Sequence, residues 1–382
     1  MRTLVLGGYG NFGARICRAL AGDPTIDLLA GGRNRDQAQR LVDTLDGTAS
    51  AAAVDFTAPD FAQTLRQLDV GLVVHAAGPF QRQSYAVAHA AAEAGAHYID
   101  LADGRRFVCD FPAALHQRFQ TIGRVGITGA STVPALSSAV VEHLCAGWAA
   151  IDSIDICIAP AQTAPRGKAT LAAVLSYCGE PIRIWRGGKW VEAPGWAKPE
   201  RVDFLRMRPR IGALCDIPDL ELFPSHYAVR DGVMFRAALE VGFTQRAFAV
   251  LASLRGRGLL KRPERWAGLL NRTAVVFDFL GTSLGGMVVR VEGLDGRGRP
   301  ARRAWHIAAD YDHGPEIPCM PAILLARKLA AGSAMPAGAF TATGLLKLAE
   351  FQGEFARWKM VSDIVDEAVS SPSEPMPDAT AA

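Results

Sequence analysis

The sequence predicts an α/β chain: an N-terminal doubly wound parallel sheet of the Rossmann type, then a second α+β domain built on a mostly antiparallel sheet. Three observations predict it. A glycine-rich turn, Gly7-Gly8-Tyr9-Gly10-Asn11-Phe12-Gly13, joins a short apolar run to a helical pattern. Strand-like apolar runs then alternate with helical patterns as far as residue 128, which implies a parallel sheet with helices on both faces. Beyond residue 128 the pattern changes to strand pairs separated by hairpin signals.

The first strand, 2–7, carries Thr3-Leu4-Val5-Leu6, and the helix after it places Phe12, Ile16, Ala19 and Leu20 on one face. Strand, glycine turn, helix is the context that a dinucleotide fingerprint requires. Gly8 is expected to permit the tight turn, Gly10 to let the backbone approach a pyrophosphate, and Gly13 to let the helix pack against its strand. Asn11 and Phe12 open that helix, whose free N–H groups favour phosphate. The alternative is a glycine-rich turn without a ligand.

The second strand, 26–31, runs into Gly31-Gly32-Arg33-Asn34-Arg35. An NAD enzyme usually has an acidic residue there, about 20 residues past the fingerprint, to hold the ribose hydroxyls. No carboxylate stands at this place, and Arg33 and Arg35, with Asn34 between them, can bind a 2′-phosphate. Charge-assisted hydrogen bonds of roughly 1.5–3 kcal/mol each would together favour the phosphorylated cofactor by about 10²–10⁴, so NADP is expected. Alternatively both arginines are solvated and Asp36 merely caps the helix at 36–45.

The third strand, 50–55, ends at Asp55, which either reaches the adenine amino group or caps helix 58–67. The fourth, 70–76, exits through Ala77-Gly78-Pro79, where small residues let a cofactor ribose lie close to backbone. A helix at 83–94 and strands at 97–101 and 124–128 complete a domain of residues 1–128 with six strands.

A substrate and dimerisation domain is expected over 129–317. Gly129-Ala130-Ser131-Thr132-Val133-Pro134 opens a helix running to about residue 148, capped by Ser131 or Thr132. Strands at 182–186 and 189–191 flank Gly187-Gly188, a two-glycine hairpin turn. Strands at 287–292 and 303–308 flank a loop with Asp295-Gly296, and helical patterns lie near 244–256 and 262–271. A helix at 318–331 is expected to pack back on the first domain. The tail, 370–382, rich in Ser, Pro and Ala, reads as disordered.

Composition narrows the function. The chain has 382 residues, 49% hydrophobic and 21% charged, with a net charge of +3, too balanced to imply nucleic acid as a partner. No secretory leader is visible, and the apolar region 266–291 is broken by Arg272, Asp278 and Arg290, so a membrane partner is not expected. The seven cysteines form no CxxC pair and the eight histidines no HExxH, so no metal site is expected. A reducing cytoplasm follows as the default location.

Hydride transfer needs a cofactor, a positioned acceptor and usually a proton donor. From the carboxyl edge of the sheet the catalytic candidates are Asp103, as an acid or the orienter of one, Tyr98, as a proton donor, and Arg105. Each has a structural alternative: a cap or ion pair for Asp103, a core position for Tyr98. Asp100, Arg106, Ser131 and Thr132 share that edge. Cys109 lacks a sequence-adjacent activator. Arg166 and Lys168 could neutralise an anionic substrate. No tyrosine has a lysine four residues on, which disfavours the short-chain dehydrogenase mechanism.

The glycine turn, the exit Ala76-Ala77-Gly78-Pro79-Phe80, the run His97-Tyr98-Ile99-Asp100-Leu101-Ala102-Asp103-Gly104 and Gly129-Ala130-Ser131-Thr132-Val133-Pro134 together resemble saccharopine dehydrogenase-like proteins. The likeness continues more loosely through Gly167-Lys168-Ala169-Thr170, Pro218-Asp219-Leu220 and the helix near 321–331. The resemblance implies an NADP-binding Rossmann domain and a substrate domain that also forms a homodimer. It implies an oxidoreductase acting on a small molecule, through C=N, C=O or C=C chemistry; the family's best-known activity forms a secondary amine from an aldehyde and an amino acid. The family often has Gly-Glu where this chain has Asp103-Gly104, and its substrate-carboxylate arginines find no match here, so saccharopine synthesis itself is not expected. Two other readings stay open: a non-catalytic NADP-binding, redox-sensing protein, and a lipid-associated enoyl reductase, for which the Leu-, Phe- and Trp-containing basic segment 248–266 could supply an interfacial helix.

Overall fold

A computed structural model describes residues 1–81, 83–164, 177–259, 279 and 281–368. Arg166, Lys168, the 167–170 motif, the helical pattern at 262–271, the basic end of segment 248–266 and the tail from 370 lie outside the described residues.

The N-terminal sheet contains β1 (Arg2–Leu6), β2 (Asp27–Gly32), β3 (Ala49–Ala53), β4 (Leu72–His75), β5 (His97–Asp100) and β6 (Val125–Thr128). The second contains β7 (Ala150–Ala159), β8 (Pro181–Arg186), β9 (Lys189–Pro194), β10 (Glu200–Val202), β11 (Arg210–Leu214), β12 (Gly232–Leu239), β13 (Gly285–Leu294) and β14 (Pro300–Ala309). β15 (Gly338–Thr341) then returns to the first sheet and β16 (Val361–Asp366) to the second.

The first sheet is therefore seven-stranded, in the order β15-β6-β5-β4-β1-β2-β3, with every pairing parallel. The seventh strand, absent from the sequence expectation, lies beside β6. Strand order reverses between β1 and β4, where ligands bind in doubly wound sheets. Register makes that crevice: Leu6 stands beside Gly31 on one side and His75 on the other. The glycine turn, the 31–35 segment and the 76–79 exit thus leave the sheet at one level.

The local reasons are legible in the residues. Helix α1 (Asn11–Leu20) buries Gly13, Ile16, Cys17 and Leu20 along one stripe. All four residues of β4, Leu-Val-Val-His, are buried, as a central parallel strand covered on both faces must be. Helices α2 (Arg35–Val42), α3 (Phe61–Gln67), α4 (Ala86–Glu93) and α5 (Arg105–Thr121) fill the crossovers. Asn34 rather than Asp36 caps α2, its side chain accepting from the Gln37 amide.

The nine-stranded second sheet is antiparallel except for the β12–β7 pair. Gly187 and Gly188, at φ 61° and 67°, form the turn between β8 and β9 that a two-residue hairpin demands. The connecting helix differs from expectation: a kinked turn, Thr132–Leu136, precedes α6 (Ser137–Leu144), which ends before Trp148. Near the C-terminal end a 3₁₀ turn, Gly314–Cys319, leads into the helix Met320–Ala330. That helix lies on α1, and its Arg327 donates to the Ala19 carbonyl at 2.9 Å. One buried cluster runs through both sheets, from Val5 and Ile16 to Ile156, Val289 and Trp305; each fully buried aliphatic or aromatic side chain in it contributes ~1.5–3 kcal/mol.

Candidate active site

The glycine turn is built by steric exclusion. Gly7, not Gly8, takes the left-handed backbone, at φ 76°, and a Cβ on it would lie 3.2 Å from the Ala77 backbone. Gly8 lies against β2, its N–H donating to the Gly31 carbonyl at 2.9 Å. A Cβ on Gly13 would stand 2.0 Å from the Gly7 carbonyl oxygen, so helix and turn are in backbone contact. Among the described residues, a Cβ on Gly10 would meet only the Gly7 oxygen, at 3.0 Å. No side chain caps α1 and no acidic residue stands in its first turn. Its first N–H groups have no acceptor within the helix, and the helix dipole favours an anion in front of them. Residues 8–13 therefore fit a dinucleotide pyrophosphate.

Two side chains steady this helix start. Arg15 donates to the Asn11 carbonyl and to Asn11 Oδ1, at 2.8 and 2.7 Å. It also pairs with the buried Glu316 at 2.9 Å. Cys319 reaches the Phe12 carbonyl. The turn is thus braced by a segment some 300 positions away in the chain, which its local sequence gave no means of finding.

At the exit of β2, Arg33, Asn34 and Arg35 are all exposed. Asp55 uses Oδ1 to accept from the Thr57 amide and hydroxyl, at 2.9 and 2.7 Å. Those bonds, with Arg33 nearby, hold its carboxyl below the usual carboxylate range. This is the turn role, made at the crevice. On the other side of the glycine turn, Ala77 and Pro79 are tied by Gln83, whose amide donates to both carbonyls, at 2.8 and 3.1 Å. Gly78 between them is exposed.

Of the three catalytic candidates, Asp103 alone faces accessible space. It is exposed, yet enough protein crowds it that desolvation raises its carboxyl pKa, opposed by bonds from its own amide and from Gln81. Gln81 donates to Asp103 Oδ1 at 3.0 Å, joining the β4 and β5 exits. From the second domain, Tyr177 shares this neighbourhood: burial first, then Cys215, Asp103 and Asp216, push its phenol pKa well up.

The other two are corrected. Tyr98 has no exposed surface; it stacks on Phe111 and its hydroxyl meets His75 Nδ1 at 3.1 Å, so it is a core residue that no substrate reaches. Arg105 is also buried, and its donors go to the Arg183 carbonyl (2.7 Å), Asp216 (3.0 Å) and Glu221 (2.8 Å). It fastens α5 to the second domain instead of facing a substrate. Asp100 is structural too: its Oδ1 accepts from Ala102 N, Gly129 N and the Thr128 hydroxyl, each at 2.9 Å, while burial raises its pKa to about 6. Burial likewise pushes the Cys109 thiol up to about 12, which leaves it an unreactive thiol at neutral pH. Among the described residues no cluster of three or more His, Cys, Asp or Glu is placed to hold a metal ion, and no helix is long and apolar enough to cross a membrane.

Residues 3–137 match the family model of the saccharopine dehydrogenase NADP binding domain. Among solved structures, the fold is similar to that of a saccharopine dehydrogenase (L-Glu forming) from Saccharomyces cerevisiae, with a TM-score of 0.68 and 12% identity over 96% of this chain and 100% of that one. It is also similar to a homospermidine synthase from Legionella pneumophila solved with NAD, with a TM-score of 0.59 and 10% identity over 99% and 95%. No curated protein sequence matches. At these identities the two structures establish a shared two-domain fold.

Proposed function

We propose, from the membership of residues 3–137 in the saccharopine dehydrogenase NADP-binding domain family, that this protein is an NADP(H)-dependent reductase or dehydrogenase of a small C=N, C=O or C=C substrate. A nucleotide-binding oxidoreductase domain follows from the family itself. The choice of NADP and the reaction rest on the site.

The observation that carries the proposal is the meeting of four features at one sheet edge. They are an uncapped helix start behind Gly8, Gly10 and Gly13, a β2 exit with two exposed arginines and no carboxylate, a β4 exit of small residues tied by Gln83, and an accessible Asp103. Gly8, Gly10, Asn11, Phe12 and Gly13 would hold the pyrophosphate. Arg33, Asn34 and Arg35 would hold the 2′-phosphate. Asp55 would lie toward the adenine, and Ala77, Gly78 and Pro79 toward the ribose. The bound cofactor supplies or takes up hydride. Asp103, oriented by Gln81, would hold a proton or align a donor beside the acceptor, and Tyr177, which feels the Asp103 charge, would be a candidate for that donor.

Titration of the purified protein with NADPH and NADH, followed by fluorescence, tests the cofactor. Tight NADPH binding with weak NADH binding is expected, followed by NADPH oxidation with one of a panel of imines, aldehydes and enoyl compounds. Binding of neither dinucleotide at several hundred micromolar would reduce the glycine turn to a structural device. Binding without turnover on any of the three classes would favour a sensor.

A further inference from the structure

Of the three side chains in the glycine turn that the cofactor fingerprint leaves free, Tyr9, Asn11 and Phe12, the first is placed to do more than fill space. Tyr9 lies between Gly8 and Gly10, half-buried against the core. Its ring reaches across to β2 and lies on Gly32: a Cβ on Gly32 would stand 2.4 Å from Tyr9 Cε1 and 2.8 Å from its hydroxyl oxygen. That oxygen accepts a hydrogen bond from the Asn34 amide at 3.2 Å. Asn34 in turn caps α2, so the phenol is pinned at the exit of β2, between Gly32 and the exposed pair Arg33 and Arg35.

Two consequences follow. First, the ring fills the place from which an acidic side chain at position 32 would start. A side chain there carrying a carboxylate, able to hold both hydroxyls of an unphosphorylated ribose, would require the Tyr9 ring to move, and none is present in the sequence. Second, because the Tyr9 oxygen accepts from Asn34, its own proton is left to donate. It has no acceptor among the described residues. A phenol donor beside two guanidinium groups matches a dianionic phosphate ester, which accepts charge-assisted bonds, better than a neutral hydroxyl.

We infer that Tyr9 is a specificity residue, the floor and third donor of a 2′-phosphate pocket completed by Arg33 and Arg35. This rests on the NADP reading above and adds to it a residue, a reason for Gly32, and a separable test. Tyr9→Phe keeps the ring over Gly32 and removes only the hydroxyl. The expected result is about tenfold weaker NADPH binding, the size of one lost charge-assisted bond, with NADH binding changed less than about twofold. Adenosine 2′,5′-bisphosphate and adenosine 5′-monophosphate, titrated as competitors, should show the same contrast without the nicotinamide half. A purely structural tyrosine would weaken both dinucleotides alike. That outcome, or no change in either, overturns the inference while leaving the cofactor reading intact. A wild-type protein that binds NADH as tightly as NADPH overturns it as well, and one that binds neither overturns the cofactor reading itself.

Discussion

A Cβ on Gly13 would stand 2.0 Å from the Gly7 oxygen, closer than any contact a side chain can relieve, because both partners are backbone. Gly13→Ala should therefore push α1 off its turn, costing ~1–3 kcal/mol and abolishing the thermal stabilisation by NADPH that mass action gives the parent. A thermal-shift series with and without NADPH reads both. An alanine variant that keeps the full ligand-induced shift would show that the turn does not hold a phosphate. The spacing of these glycines made this part of the site readable from sequence, since only glycine meets the demand. The assignment within the motif was less readable. The motif does not say which glycine takes positive φ; Gly7 carries it, and Gly7 also lies against Ala77. Tyr98 failed as a candidate for a similar reason: the sequence placed it on the right strand but could not say which face of the sheet its ring joins, and Phe111 and His75 claim it.

Between elements, Arg105 is a fastening of several bonds, a buried guanidinium on α5 bonded to three groups of the second domain. Its acidic partners, Asp216 and Glu221, keep 32% and 34% side-chain exposure, which screens the pairing. Arg105→Met should cost about 2–3 kcal/mol, below the 3–5 typical of a wholly buried broken pair. Urea unfolding should show it as a lower midpoint with an unchanged slope. A loss below about 0.5 kcal/mol would mean that the contact is no more than a surface pairing. Alternating strand and helix patterns identified the first six strands of the parallel sheet, because each is an apolar run with a helix to cover it. β15 escaped because Gly338-Ala339-Phe340-Thr341 is a four-residue strand of small residues. Its partner β6 lies far back in the sequence. The hairpin at Gly187-Gly188 was legible because its chemistry is local.

For the molecule as a whole, two sets of titratable groups contribute opposed pH dependences to stability. Burial raises Asp219 to about 7, against a short bond from the Ser137 hydroxyl, and Asp100 to about 6. An acid whose folded pKa is raised binds its proton in the native state while the unfolded chain has lost it. Stability from these two therefore falls as pH rises, from about 4 to about 7 for Asp219. Burial lowers His75 and His97 to about 4. A histidine kept neutral gives the reverse: stability rises with pH from about 4 to the unfolded value of about 6.5. The two trends oppose each other in the same window. Asp219→Asn keeps a partner for Ser137 and removes the titration, so the variant should gain stability relative to the parent between pH 5 and 8, and its stability should climb more steeply with pH up to about 6.5. Chemical denaturation at a series of pH values measures this; parallel curves for parent and variant would show that Asp219 does not titrate in that range.

The seventh strand gives the chain a history as well as a shape. Synthesis runs from the N-terminus, so the dinucleotide crevice between β1 and β4 emerges early. The edge of β6 meets its neighbour only after β14 and the helix Met320–Ala330 have emerged. Through that interval β6 is an edge strand of the parallel sheet, its outer hydrogen-bonding groups unpaired and ready to accept any extended segment. The strand that pairs with β6 follows the segment bracing the glycine turn through Arg15 and Glu316. Pairing of β6 and bracing of the glycine turn thus both wait on the last part of the chain to be synthesised.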